Sequence, residues 1–455
     1  MDYPTLKKIC RERKSELPPG FDCRQSKAIL QDAINKLGPG KNDRSIPLSR
    51  SPIDLDVFTN NIYTRLDYFL LLRVIALNKR LSTVIDNELF WKRWVVVNII
   101  PRHDDDIITA NPQPDRWRLY ARMFYQPRIK EIWKSGGGDW VPQIRAQNKV
   151  DGKAITEIGI GLSDYGYIEN GHAKIYTYLR YPGGWARDDQ PKKGWVSAES
   201  DSSIGRVSRL SFKYQTYAFL TTDGRIYIGG GEIGRYDPVY WHPVKAPEGV
   251  LFVDLSAGRD YLNAVDIQGR VWTTSVVGIT GKTSDNLTLE LVDTPEPIAR
   301  VNAGANLAMI VMLSITGKAY SLIERNIALY TFPSTSRIVQ ISSTGFGSAD
   351  TMMVTGLGEL LARNVYFFPG HKRGDYKGLI EKWNKKTVIA ASLGDSHAVI
   401  ITTDFQAHTF GLTNGGRLGI GKLPSSQDKK VPQLVKFEKP VRSVSAGSSE
   451  TLFGL

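Results

Sequence analysis

Cysteine, histidine and long apolar runs are all scarce in this sequence. Only Cys10 and Cys23 occur among 455 residues, which excludes a disulfide framework and indicates a reducing, intracellular compartment. The six histidines show no metal-ligand spacing, so we expect neither a metal nor another cofactor. The longest apolar runs are far too short to span a membrane and no signal peptide is recognisable, which predicts a cytoplasmic or nuclear protein without membrane contact.

Catalytic motifs are missing as well. The glycine runs at Gly136 and Gly229 lack the Lys-Ser/Thr pair of a phosphate-binding loop. The acidic run from His103 to Asp106 is more typical of a solvated loop than of a cation site. The sequence therefore predicts a binding protein with no catalytic residues rather than an enzyme.

What the sequence does contain is a strand–turn–strand phrase that recurs about every 47 residues, most clearly from Tyr217 to Gly230. A glycine occupies the turn in five copies, as expected where a hairpin needs positive φ. Phe405 takes that position in the sixth copy, which predicts that this turn closes differently. The turn glycines are Gly171, Gly224, Gly269, Gly317 and Gly358.

A second marker has the same period. Each hairpin is preceded by small residues that end in a glycine, at Gly258, Gly304, Gly345, Gly394 and Gly447. A unit of this length supplies about four strands and must pack on its neighbours, as a propeller blade does. Because the last unit is incomplete, we expect the segment from Ile129 to Pro142 to complete it, which removes the open edges. The predicted fold is mainly β, a seven-bladed β-propeller with a small α-helical N-terminal domain.

The most regular repeat, from Phe410 to Gly421 and on to Pro432 and Val435, resembles the repeat of the regulator of chromosome condensation family. Gly411, Gly416, Leu418, Gly419 and Gly421 match the family pattern without a gap. The founding member of that family is a guanine nucleotide exchange factor for a Ran-type GTPase and binds chromatin. The resemblance therefore implies a chromatin-binding or exchange function as one alternative.

The first 128 residues differ in composition from the repeats. We divide the chain into a basic, partly flexible segment (1–50), a helical module (51–95), a linker (96–128) and the propeller (129–455), whose last blade is closed by N-terminal and C-terminal strands together. From Ile53 to Trp94 there is no glycine or proline, and apolar residues recur at helical spacing. The stretch from Leu66 to Leu81 resembles an F-box core.

The F-box resemblance implies that the module binds a Skp-type adaptor of a cullin ubiquitin ligase and that the propeller binds a protein substrate. The chain would then be the non-catalytic substrate-recognition subunit of the ligase. The alternatives are that these helices pack in the protein's own core, or that the protein is an interaction scaffold without ligase coupling. The adaptor-binding candidates are Leu66, Leu71, Leu72, Leu77 and Trp91.

A protein substrate is expected to bind on a ring face built from loops, where aromatic side chains make the strongest contacts. The candidates in two loop-like stretches are Trp185, Trp195, Tyr236, Tyr240 and Trp241. The alternative is that each of these rings anchors its own loop or packs between blades.

Positive charge is concentrated near the N-terminus. The net charge is +13, and residues 1–130 carry 23 Lys and Arg against 15 Asp and Glu. Basic spots lie at Lys7 to Lys14, at Arg116 to Arg122 and at Lys382, Lys385 and Lys386. Such patches suit either an acidic adaptor or the phosphates of nucleic acid and chromatin.

Overall fold

The structure, a computed structural model, divides the chain into two compact units, Met1–Phe90 and Trp91–Leu455, and the elements given below belong to the second. The residues that it describes are 90–92, 94–95, 117–124, 128–136, 155–162, 164–179, 192–197, 204–213, 216–230, 241–258, 261–275, 287–304, 309–323, 326–330, 336–344, 350–363, 365, 377–378, 388–420 and 429–455.

Within the stretch predicted as a linker, helix α1 spans Trp117–Phe124, and strand β1 follows at Ile132–Gly136. Three four-stranded sheets come next, which we call blades A, B and C. Blade A contains β2 (Ile155–Ile160), β3 (Tyr165–Glu169), β4 (His172–Leu179) and β5 (Lys192–Ser197). Blade B contains β6 (Val207–Lys213), β7 (Thr216–Thr221), β8 (Ile226–Gly230) and β9 (His242–Pro243). Blade C contains β10 (Phe252–Ala257), β11 (Tyr261–Asp266), β12 (Val271–Ser275) and β13 (Glu290–Val292).

Blades D, E and F repeat this four-stranded arrangement. Blade D contains β14 (Ile298–Ala303), β15 (Ile310–Ser314), β16 (Ala319–Ile323) and β17 (Asn326–Leu329). Blade E contains β18 (Ile338–Ser343), β19 (Thr351–Thr355), β20 (Leu360–Arg363) and β21 (Lys377–Gly378). Blade F contains β22 (Val388–Leu393), β23 (His397–Thr402), β24 (Ala407–Gly411) and β25 (Lys429–Val435).

The seventh sheet, blade G, joins distant parts of the chain. It pairs β26 (Ser443–Ala446) with β27 (Glu450–Gly454), and β27 with β1, so that Ile132 lies opposite Gly454. The first strand of each blade contacts the first strand of the next, and β26 contacts β2, which closes the ring. The seven sheets confirm the predicted propeller fold.

The hairpin turns between second and third strands form as predicted, with one exception. The five turn glycines have φ between 77° and 82°, the left-handed region that glycine adopts at little cost. Phe405 was expected to close its turn differently, and that expectation is wrong. Phe405 has φ 59°, and its N–H donates to Thr402 O over 2.7 Å, as Gly224 N–H donates to Thr221 O over 3.1 Å. Its buried ring lies under the Arg442 guanidinium at 5.5 Å, a contact that helps to offset the backbone strain.

Neighbouring blades are joined by a repeated hydrogen bond between first strands. A serine hydroxyl accepts from a backbone N–H of the next blade over 2.9–3.0 Å. These serines are Ser211, Ser256, Ser342 and Ser392. The junction between blades A and B differs, because Gly159 of blade A takes the serine position and the Phe212 ring of blade B fills the space beside it. The apolar clusters of the core extend from one blade to the next, as in the cluster of Phe219 with Ile168 and Ile175.

Candidate protein-binding site

Trp195 lies on a regular strand, β5, rather than in the loop in which the sequence placed it. Its side chain is 46% exposed, although tryptophan is usually well buried. The indole contacts three tyrosine rings, with centroid distances of 5.7 Å to Tyr165, 5.5 Å to Tyr167 and 5.4 Å to Tyr176. We call these four residues the aromatic ledge.

The ledge is built by strand register. Tyr165, Tyr176 and Trp195 lie opposite one another on β3, β4 and β5, so their rings stand in a row across one face of blade A. Tyr165 is buried at the inner end of the row, where the Lys134 ammonium lies 5.0 Å from its ring centroid. Burial raises the pKa of the Tyr165 phenol, so this ring stays neutral at physiological pH. The result is a rigid, uncharged aromatic surface with one exposed indole.

Trp241 fits the alternative that its ring packs within the propeller instead of contacting a partner. It lies just before β9 and is half-buried, with its ring 4.7 Å from Phe219 and 5.4 Å from Tyr217. This packing fixes the fourth strand of blade B against its neighbours. The other loop candidates, Trp185, Tyr236 and Tyr240, lie outside the described residues.

Of the adaptor-binding candidates, the structure describes one. Trp91 is 1% exposed, and its ring packs edge-on against Trp94 at 5.9 Å. The Arg118 guanidinium of helix α1 lies 5.8 Å from the Trp91 ring. Trp91 is therefore a buried residue that contacts helix α1 in this structure. Leu66, Leu71, Leu72 and Leu77 lie outside the described residues.

The basic spot from Arg116 to Arg122 falls on helix α1 and engages the chain itself. The Arg122 guanidinium donates to the carbonyl of Ile389 in blade F. In return, Arg300 of blade D donates to the carbonyl of Met123 over 2.8 Å. These two contacts hold the C-terminal end of the helix on the inner strands. The spots at Lys7 to Lys14 and at Lys382 to Lys386 lie outside the described residues.

The sequence did not predict a row of charged side chains of alternating sign, which lies on the first strands of four blades. Glu157, Arg209, Asp254 and Arg300 alternate in sign from blade A to blade D. Arg209 pairs with Glu157 at 2.9 Å and with Asp254 at 3.0 Å. Each lies four residues before a common position in its blade, at Gly161, Lys213, Gly258 and Gly304 respectively. That constant spacing is the signal that could have identified the row. We call it the charge belt.

A bulge produces the belt. The first strand of every four-stranded blade shifts register immediately before the belt position, between Phe252 and Asp254 in blade C for example. Asp254 is fully buried, accepts hydrogen bonds from Arg209 and from Val301 N–H at 2.9 Å, and forms an ion pair with Arg300 at 3.4 Å. Burial raises the pKa of Glu157 even though Arg209 and Arg300 oppose the shift. The belt ties blades together and has no free carboxylate pair for acid–base chemistry.

The described part of the chain shows neither a metal cluster nor a membrane-spanning helix. No group of three or more His, Cys, Asp or Glu there is placed to hold a metal ion. No described helix combines the length and the apolar character that a membrane crossing requires. Buried His397 is used in packing, with Nε2 at 2.7 Å from the Thr451 hydroxyl of blade G.

Comparison with known proteins identifies the repeat and the fold. The sequence model described as "Regulator of chromosome condensation (RCC1) repeat" matches residues 406–453, the region that contains the most regular repeat. That match confirms the resemblance for this repeat. It covers a small part of the chain.

Two solved structures share the fold. Prp20p from Saccharomyces cerevisiae, whose binding properties to Gsp1p and histones have been described, is 14% identical with a TM-score of 0.59, covering 74% of this chain and 93% of Prp20p. Human WBSCR16 is 14% identical with a TM-score of 0.54, covering 72% of this chain and 99% of WBSCR16. At this identity the likeness concerns the propeller and not the partners.

Proposed function

We propose that this chain is a non-catalytic protein-binding subunit whose propeller ring holds a protein partner on the aromatic ledge. The observation that carries the proposal is the exposed indole of Trp195, clamped by three tyrosines on a closed, rigid ring. Tryptophan and tyrosine dominate the energy of protein interfaces. A ring that is already ordered loses little entropy when a partner covers it, which favours tight binding.

Two more specific forms of the proposal differ in the partner. The likeness to Prp20p supports a partner of the Gsp1p type or histones, which corresponds to the chromatin-binding or exchange function that the repeat implies. The F-box-like stretch from Leu66 to Leu81 supports a Skp-type adaptor, with the ledge then holding a ligase substrate. We favour the first form, because the repeat and the propeller fold that support it lie in the described part of the chain.

A binding panel with purified proteins separates these forms. The full chain is titrated with Gsp1p, histone octamer and a Skp-type adaptor, and each titration is repeated with Trp195→Ala and with a Leu71→Asp, Leu72→Asp double variant. Binding of Gsp1p or histones that Trp195→Ala weakens supports the first form. Adaptor binding that only the double variant loses supports the ligase form. No binding to any of the three by a folded chain contradicts both.

A further inference from the structure

The seven inner strands end at a narrow ring of backbone around the propeller axis. In five blades the residue at this position is a glycine: Gly161, Gly258, Gly304, Gly394 and Gly447. The backbones approach so closely that a Cβ on Gly394 would lie 2.2 Å from Gly447 O, and one on Gly447 would lie 2.3 Å from Gly161 O. At Gly394 and Gly447 a side chain therefore has no room. We call the seven positions at the ends of the inner strands, one in each blade, the axial ring.

Two positions of the axial ring are not glycine. Thr344 occupies the position in blade E, where its N–H donates to Asp350 O just as Gly304 N–H donates to Met309 O. Lys213 occupies it in blade B, paired in register with Thr216. The sequence analysis assigned the blade E marker to Gly345, one residue later than the structure places it.

Lys213 extends across the axis of the ring. Its ammonium donates to Ser343 O over 2.6 Å, so the side chain reaches from blade B to blade E and bypasses blades C and D. The acceptor is held in place, because Ser343 N–H donates to the side-chain oxygen of Asn302 over 2.8 Å. The carboxylate of Asp395, next to the axial-ring glycine of blade F, makes no ion pair with this ammonium and acts on it only through its charge.

Among the described residues, the Lys213 ammonium has one direct acceptor, Ser343 O, for the three hydrogen bonds that an ammonium can donate. Burial lowers the pKa of Lys213, while Asp395 opposes that shift and favours the charged form. The hydrogen bond to Ser343 O therefore needs a donor at the end of the side chain, which an apolar side chain of the same length does not supply.

We propose that the mouth of the axial ring is an ammonium-binding site, which the chain fills with its own Lys213 side chain. The ammonium donates to Ser343 O and so ties blade B to blade E across the axis. The site holds whether or not the propeller binds the partners proposed above, since it depends only on contacts within the ring.

Chemical rescue tests this site directly. Lys213→Gly installs the residue found at five other axial positions and leaves the acceptors exposed, and Lys213→Met keeps the volume without the charge. Both variants should melt about 2–3 °C below the wild type, as expected for the loss of a charged hydrogen bond in a protein of this size. Added n-butylammonium should raise the melting temperature of Lys213→Gly and leave Lys213→Met unchanged. Tetramethylammonium at the same concentration, which has no N–H donor, should have no effect.

Other results would overturn the proposal. If Lys213→Met melts at the same temperature as the wild type, the ammonium does not stabilise the ring. If n-butylammonium changes the melting temperatures of both variants equally, no specific site exists. Lys245→Met, at an exposed lysine of blade B, is the matched control and should melt like the wild type. If Lys213→Gly does not fold, the comparison of Lys213→Met with Lys245→Met replaces it, and equal melting temperatures of these two variants contradict the proposal.

Discussion

The hydroxyl of Ser135 donates a hydrogen bond of 3.0 Å to the carbonyl of Arg417, although 282 residues separate the two. Ser135 lies on β1, and Arg417 lies in the most regular repeat, at the junction of blades F and G. The Thr451 hydroxyl of β27 donates to the same carbonyl over 2.9 Å. The repeat element that the sequence preserves best is therefore the one that fastens both ends of the composite blade.

Thr451→Val should weaken this closure. The substitution preserves shape but removes the hydroxyl that joins His397 to Arg417 O inside the protein. Arg417 O keeps its bond from Ser135, but His397 Nε2 loses its partner, and one unsatisfied buried polar group costs about 1–3 kcal/mol of unfolding free energy. Urea denaturation measures the loss, and Thr451→Ser, which keeps the hydroxyl, should retain most of the stability. An equal loss in both variants would show that the methyl group rather than the hydroxyl matters.

Asp254→Asn should be among the more destabilising single changes in the ring. The buried Asp254 carboxylate neutralises Arg209 and Arg300, and its loss leaves two guanidinium groups with reduced compensation. Breaking a buried ion pair costs about 3–5 kcal/mol. Urea denaturation measures the loss of unfolding free energy. Asp293→Asn, at an exposed position between blades C and D, is the control. A loss no larger than that of the control would mean that the belt does not hold the blades.

His397 should make folding sensitive to acid. Burial lowers its pKa to about 3, and the Arg417 charge contributes to the shift. Below pH 6.5 the unfolded chain takes up a proton that the folded chain refuses, so stability falls as the pH drops from 6.5 to about 3. The contribution is about 1.4 kcal/mol for each pH unit in that window, and it is absent above it.

The pH dependence that His397 adds is measured by comparing the unfolding free energies of the wild type and a variant without this histidine. The unfolding free energy of the wild type should fall more steeply between pH 6.5 and 4 than that of His397→Gln. His172→Gln, at the first residue of β4 in blade A, removes a histidine elsewhere in the ring and serves as the control. Parallel curves for the wild type and His397→Gln would contradict the assignment.

The fold was accessible from the sequence because each blade repeats the same backbone requirement. The hairpin turn needs positive φ, which favours glycine. Phe405 was wrongly expected to form a different turn, because the sequence does not show the packing of its ring against Arg442 that offsets the strain of positive φ. The ledge was only partly accessible: Trp195 was identified as a candidate, yet its place on a strand depends on the register of β4 and β5. Lys213 was not identified, since nothing local distinguishes a lysine that crosses the axis from one that faces solvent.

The affinity of the full chain for a protein partner, compared between wild type and Trp195→Ala, tests the central claim most directly. Titration calorimetry with whichever member of the panel binds should show a loss of about 30-fold or more, the size expected for a hot-spot residue of about 2 kcal/mol. Leu291→Ala, which removes another exposed apolar side chain from a different blade, should bind like the wild type. Unchanged affinity of Trp195→Ala would contradict the claim that the aromatic ledge holds the partner.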